Sequence, residues 1–120
     1  MTWILIADDH DELREGLAEV FRVEGFRVGL AADGIELLRI LGETAPASAV
    51  VLLDLLMPHM SGLEVLHAMR PRHVPVVVLT GVALSAEELV SLGVEEVLSK
   101  PIAVEPLLGA VQRALGRVAR

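Results

Sequence analysis

The chain has no cysteine and no tyrosine, and its only aromatic side chains are Trp3, Phe21 and Phe26. Without cysteine, neither a disulfide framework nor a thiolate metal site can form. With so few rings, a chain that is 53% hydrophobic must build its core from Leu, Val, Ile and Ala. Long apolar runs are missing too: nothing approaches the ~20 residues that a membrane helix needs. No basic start with a cleavage site precedes Trp3. A cytosolic location and no membrane partner are therefore expected. Positive charge is scarce, with 10 Lys+Arg against 17 Asp+Glu and a net charge of -7. Direct nucleic-acid binding needs a basic face, so it is not expected. Linkers, charge runs and repeats are absent as well. The 120 residues are expected to form one domain, 1–120, with any output domain outside this sequence.

What the chain does have is alternation. Short apolar runs near 3–7, 26–31, 49–53, 74–79 and 95–98 read as strands. Between them Leu13, Leu17, Val20 and Phe21 recur at helical spacing, with Gly25 placed to end that helix. Ile35, Leu37, Leu38 and Leu41 mark a second helix, stopped around Gly42 and a loop containing Pro46. Leu63, Val65, Leu66 and Met69 mark a third, bounded by Ser61 as N-cap and by Pro71. Ser85 with Glu88 three residues on is a capping-box pair for a short fourth helix. Pro106 falls in the first turn of a fifth, carried by Leu107, Leu108, Val111 and Leu115. Five strand–helix units in alternation predict a doubly wound, five-stranded parallel α/β sheet with five helices.

The polar residues then fall in a pattern. Asp54 closes the apolar run 50–53, and Asp8-Asp9 closes the run 3–7. Thr80 follows Val76–Leu79, and Lys100-Pro101 follows Val97-Leu98-Ser99. In an open parallel sheet the carboxyl ends of the strands gather at one edge, where ligands bind. Three carboxylates there repel one another unless a cation sits among them. Oxygen donors alone call for a hard divalent ion, and Mg2+ is the expected cofactor. The four histidines, His10, His59, His67 and His73, lack metal-ligand spacing and are expected to take no direct part.

These residues in this order resemble the receiver domain of two-component response regulators. The markers are an acidic pair after strand 1, an Asp after strand 3 followed by Met-Pro and a later Gly, a Thr or Ser after strand 4, and Lys-Pro after strand 5. Here they are Asp8-Asp9, Asp54 with Met57-Pro58 and Gly62, Thr80, and Lys100-Pro101, and the resemblance covers essentially the whole chain. It implies a flavodoxin-like sheet of order 2-1-3-4-5. It implies that Asp54 is the phosphoacceptor, forming an acyl phosphate. Asp9, Asp54 and the backbone carbonyl of Leu56 would hold Mg2+, with Asp8 acting directly or through water. Lys100 would pair first with Asp54 and later with the phosphate, and Thr80 would swing its hydroxyl to a phosphate oxygen. The Lys100-Pro101 peptide would be cis. The partners implied are a sensor histidine kinase or a phosphotransfer protein, and an output domain or effector that the sequence does not name. The chain would be a switch, not an enzyme beyond self-phosphorylation and slow autodephosphorylation. Plainer roles stand beside these: Asp8 as N-cap of the first helix, and Thr80 as a strand-end hydroxyl bonded to backbone.

Two positions and the length of one stretch depart from the pattern. Val97 stands where receivers often carry Tyr or Phe, so no ring can reorient there. Gly81 follows the hydroxyl where Ala is common, opening space and permitting unusual backbone angles. The stretch from Thr80 to Lys100 is slightly short. Leu56 and Val82, each two residues past a site residue, occupy positions that in receivers modulate acyl-phosphate hydrolysis, and both are apolar. Two rival readings are a pseudo-receiver that binds partners without phosphorylation and an aspartate-nucleophile phosphatase of the haloacid dehalogenase type. The latter needs a second Asp at position 56, which is Leu.

Overall fold

The computed structural model describes residues 2–44, 48–70, 73–94 and 96–118. The two loop prolines used above as helix boundaries, Pro46 and Pro71, lie outside them. Five strands, β1 (Trp3–Ala7), β2 (Arg27–Ala31), β3 (Ala49–Asp54), β4 (Val76–Thr80) and β5 (Glu96–Ser99), alternate with five helices. The helices are α1 (Asp11–Val23), α2 (Gly34–Thr44), α3 (Gly62–Met69), α4 (Ala86–Leu92) and α5 (Val104–Val118). The strands form one sheet in the order β2-β1-β3-β4-β5, and every pairing is parallel. The doubly wound sheet with the implied strand order is therefore present.

Side-chain alternation along the central strands explains the two-sided core. Ile4, Ile6, Val50 and Leu52 point to one face and pack on Leu17, Ala18 and Phe21 of α1 and Leu107, Ala110, Val111 and Ala114 of α5. Leu5, Ala7, Val51 and Leu53 point to the other, against Leu37 and Leu41 of α2, Val65, Leu66 and Met69 of α3, and Leu92 of α4. A strand buried on both faces must be apolar at every position, which is why β3 reads as a continuous run. Each fully buried Leu, Ile or Phe contributes about 1.5–3 kcal/mol through burial. The aromatic pair Phe21–Phe26 meets edge to face, with centroids 5.9 Å apart.

The helix ends follow the sequence signals closely. Ser61 and Ser85 each accept from the backbone N–H three residues on, and Glu64 and Glu88 reach back to complete both capping boxes. Gly25, at φ 91°, lies just beyond the α1 cap residue Glu24. The helix between Thr80 and Lys100, α4, is short, as its spacing predicts. Ile35 and Leu63, which mark α2 and α3 by their spacing, lie in those helices but are 58% and 59% exposed. The inward slots belong to the glycines before them: a Cβ on Gly62 would lie 2.5 Å from the Cα of Leu55, and one on Gly34 would strike Val65. With glycine facing inward, the next residue turns outward by one helical step. Strand ends shift slightly as well: β3 runs on through Asp54, and β4 starts at Val76 and includes Thr80.

Register fixes where the polar residues arrive. Ala7 pairs with Leu53, Asp54 with Leu79, and Thr80 with Ser99. The residues after β1, β3, β4 and β5 therefore emerge level with one another at one edge. Among the described residues, no helix is long and apolar enough to cross a membrane.

Candidate functional site

Asp8, Asp9 and Asp54 converge at that edge, each offering a carboxylate oxygen within 4.8 Å of the others. Asp8 and Asp54 are buried, whereas Asp9 is exposed. Lys100 enters from the end of β5, its Nζ 3.0 Å from Asp8 Oδ2 and 3.3 Å from Asp54 Oδ2. The lysine thus bridges two acids, Asp54 and, slightly nearer, Asp8. An open pocket of roughly 620 Å³ leads down to Asp54 and Lys100. Asp9, His10 and Gly81 lie along it, and Leu13, Leu56, Pro101 and Ile102 make its wall largely apolar. The Lys100-Pro101 peptide is cis, as the resemblance implied.

Backbone donors hold the two buried acids in place. Leu56 N–H donates to Asp54 Oδ1 at 3.1 Å, and His10 N–H donates to Asp8 Oδ1 at 2.8 Å. Burial raises the Asp54 pKa above its usual 3.8, and the charge of Asp8 adds to the rise, against the lowering effects of the Leu56 N–H and Lys100. For Lys100 burial acts downward, but its pairing with Asp8 and the charges of Asp54 and Asp8 outweigh it, so its pKa is raised. The ammonium stays charged.

An acid whose pKa is raised by folding favours the folded state most below its unfolded pKa of about 3.8. That contribution is lost as pH rises through the higher folded value. Once ionised, Asp54 therefore works against folding. Asp54→Asn should raise the melting temperature at pH 7 by roughly 4 °C, the shift that ~1 kcal/mol gives in a domain of this size. The gain should shrink as pH falls toward 4. Equal melting temperatures at pH 7, measured by circular dichroism without divalent ions, would refute this.

Thr80 is bonded to backbone at the end of β4. Its hydroxyl donates to the Val82 carbonyl at 3.2 Å and accepts the Val82 N–H at 3.1 Å. The plainer sequence reading, a strand-end hydroxyl bonded to backbone, is what the structure shows. For Asp8 the plainer reading fails: the N-cap of α1 is His10, whose Nδ1 accepts from Leu13 N–H at 3.3 Å. Gly81 does not use a left-handed conformation, and a Cβ there would only touch Lys100 Cδ at 4.0 Å. Val97 is half-buried against the α2–α3 side of the core. Leu56 and Val82 are 64% and 48% exposed, so neither is core packing.

The donor set suits a hard cation. Besides the three clustered carboxylates, Asp8 Oδ2 is buried without a hydrogen bond, since its contact with Lys100 lies outside hydrogen-bond geometry. A buried oxygen in that state calls for positive charge.

Acids in the middle of the edge with a lysine across from them define a class of small signalling domain. The chain belongs to the response regulator receiver domain family, whose model matches residues 4–112. Response regulator MprA of Mycobacterium sp. strain KMS is 36% identical over 118 residues, covering 95% of this chain and 50% of its own length. MprA of Mycobacterium avium strain 104 is also 36% identical over 118 residues, again 95% of this chain and 51% of its own. The chain spans about half the length of these curated relatives. A receiver domain protein from Clostridium thermocellum superposes with a TM-score of 0.89 at 28% identity, covering 99% of this chain and 98% of that one. Chemotaxis protein CheY4 of Vibrio cholerae gives 0.85 at 31% identity, covering 96% and 99%.

Proposed function

We propose that this receiver is a phosphorylation-dependent switch in which Asp54 accepts a phosphoryl group from a phosphohistidine on a sensor kinase or phosphotransfer protein. The observation that carries this reading is the position of Asp54: a buried carboxylate at a central strand end, 3.3 Å from a lysine ammonium. A carboxylate oxygen of Asp54 attacks phosphorus in line with the imidazole nitrogen. As the O–P bond forms the P–N bond breaks, and its electron pair leaves on the imidazole. Burial raises the basicity of Asp54 and so makes it a better nucleophile than an ordinary surface acid. Lys100 holds the buried negative charge before transfer and supplies a cation for the phosphate afterwards. The apolar wall of Leu13, Leu56, Pro101 and Ile102 gives a donor protein a dry rim to seat against.

Asp8, Asp9, Asp54 and the Leu56 carbonyl would hold Mg2+, which when bound offsets carboxylate repulsion and charge on the phosphoryl oxygens. Thr80 supplies the switch. Its hydroxyl is engaged in two bonds to Val82, and neutral hydrogen bonds of this kind contribute only ~0.5–1.5 kcal/mol each. A charge-assisted bond to a phosphate oxygen is about twice as strong. Phosphorylation therefore draws Thr80 off Val82 and moves the start of the β4–α4 loop with it. The 1–120 unit acts as the input domain, and its output lies with a partner or another domain.

Incubation with a small acyl phosphate and Mg2+ should add one phosphoryl group to the parent and none to Asp54→Asn, as read by intact mass. Efficient, hydroxylamine-sensitive labelling of the Asn variant would overturn the assignment.

A further inference from the structure

Asp8 is met from several parts of the fold. Its N–H donates to Ala31 of β2, Oδ1 takes His10 N–H, and Oδ2 faces Lys100 of β5. Its carbonyl is taken by Arg14 of α1, whose Nη1 donates at 2.8 Å across six residues. The second prong, Nη2, meets Asp11 Oδ1 at 2.6 Å. The Arg14 side chain is only 13% exposed, while that of Asp11 is 83% exposed. An ion pair with so exposed an acid contributes little. A cation near the end of a helix's first turn is also poorly placed for the helix dipole. Neither local preference explains why a long, charged side chain is folded down here. The contact that accounts for it is the charge-assisted bond to the Asp8 carbonyl.

That carbonyl belongs to the peptide joining Asp8 to Asp9. Fixing it fixes the rotation of Asp8's backbone and hence the direction in which Asp9 leaves the strand. Asp9 itself is exposed, and no ion pair holds it among the described residues. The backbone therefore sets where its side chain leaves the strand end.

We infer that Arg14 is a positioning residue for the acidic site, clamping the Asp8–Asp9 peptide so that the free Asp9 carboxylate faces Asp8 and Asp54. The inference rests on the reading of this cluster as a cation site. It makes a counter-intuitive prediction, because deleting a positive charge beside an acidic cluster should, on charge alone, strengthen cation binding. Positioning predicts the reverse, since loss of a group that orients a ligand typically weakens metal affinity 10–100-fold.

The test is Mg2+ titration by calorimetry of the parent, Arg14→Met, Arg14→Gln and Arg14→Lys, at a temperature where circular dichroism shows each to be folded. Arg14→Met should bind about 10-fold more weakly. Arg14→Gln, uncharged but able to donate to the carbonyl, should recover part of that loss, and Arg14→Lys should do likewise. Tighter binding in the Met and Gln variants would mean that Arg14 acts only through its charge. A lower melting temperature with unchanged affinity would mean that it is only structural, and either result overturns the inference. Asp9→Ala serves as the control. If it too titrates like the parent, the cation-site reading fails; if it loses binding while Arg14→Met does not, only the role of Arg14 fails.

Discussion

Asp9→Ala should bind Mg2+ about 100-fold more weakly than the parent, whereas Lys100→Ala should bind it at least as tightly. The asymmetry follows from which charges are already compensated. Lys100 lies within 3.3 Å of both buried acids, so Asp8 and Asp54 reach the cation site partly neutralised. Asp9 brings the one acid of the cluster that has no such partner among the described residues. Two unit charges 4 Å apart interact by roughly 4 kcal/mol at the effective dielectric near a protein surface, and a divalent ion doubles that before screening. Retaining even ~2.8 kcal/mol corresponds to two decades in affinity. Removing Lys100 takes away a competitor for the same oxygens. Calorimetric titration at fixed ionic strength and pH measures all three proteins. An unchanged isotherm for Asp9→Ala would require a different ligand set. Collapse of binding in Lys100→Ala would show the lysine to be part of the frame instead of a competing cation.

The same charges explain what could be read from the sequence and what could not. Strand ends and acids were legible because two-sided burial forces continuous apolar runs, so a polar residue closing one is conspicuous: Asp54, Asp8 and Thr80 all declared themselves this way. Capping boxes were legible because both partners sit three residues apart in the chain. Contacts spanning elements were not. Nothing local shows that Lys100 leans on Asp8 as well as Asp54, since that depends on the register Thr80↔Ser99. Arg14 reaching back to a carbonyl has no side-chain pattern to betray it. The histidines were weighed only as metal ligands, so the cap at His10 was not legible; its Nδ1 takes the place of the usual hydroxyl or carboxylate. Helical spacing shows that Ile35 and Leu63 belong to helices but not that they face outward, because it counts residues and not volumes. The inward positions went to Gly34 and Gly62, where the neighbouring chain leaves no room for a Cβ.

Phosphate should leave Leu56→Asn/Val82→Glu about 10-fold faster than it leaves the parent. Acyl phosphates hydrolyse by in-line attack of water, and a hydrogen-bonding or basic group beside phosphorus orients that water. Positioned groups of this kind contribute ~10²–10⁴-fold in enzymes, and two merely polar side chains at an open edge should fall about a decade short of that range. In the parent both positions are apolar, and both side chains stand mostly in solvent. Core packing therefore does not require them to be apolar. What they can do is cover the phosphoryl group from either side, Leu56 from the loop after β3 and Val82 from the loop after β4. Val82→Glu leaves the backbone groups that hold Thr80 in place, so the change falls on the side chain alone. Gly81 acts in the opposite sense, since it offers no side chain over the pocket and exposes the Lys100 side of the phosphate. Both proteins would be phosphorylated with the same acyl phosphate, freed of it, and followed by intact mass at one Mg2+ concentration and one pH. If the double variant loses phosphate no faster than the parent, these two apolar side chains do not set the lifetime of the signal.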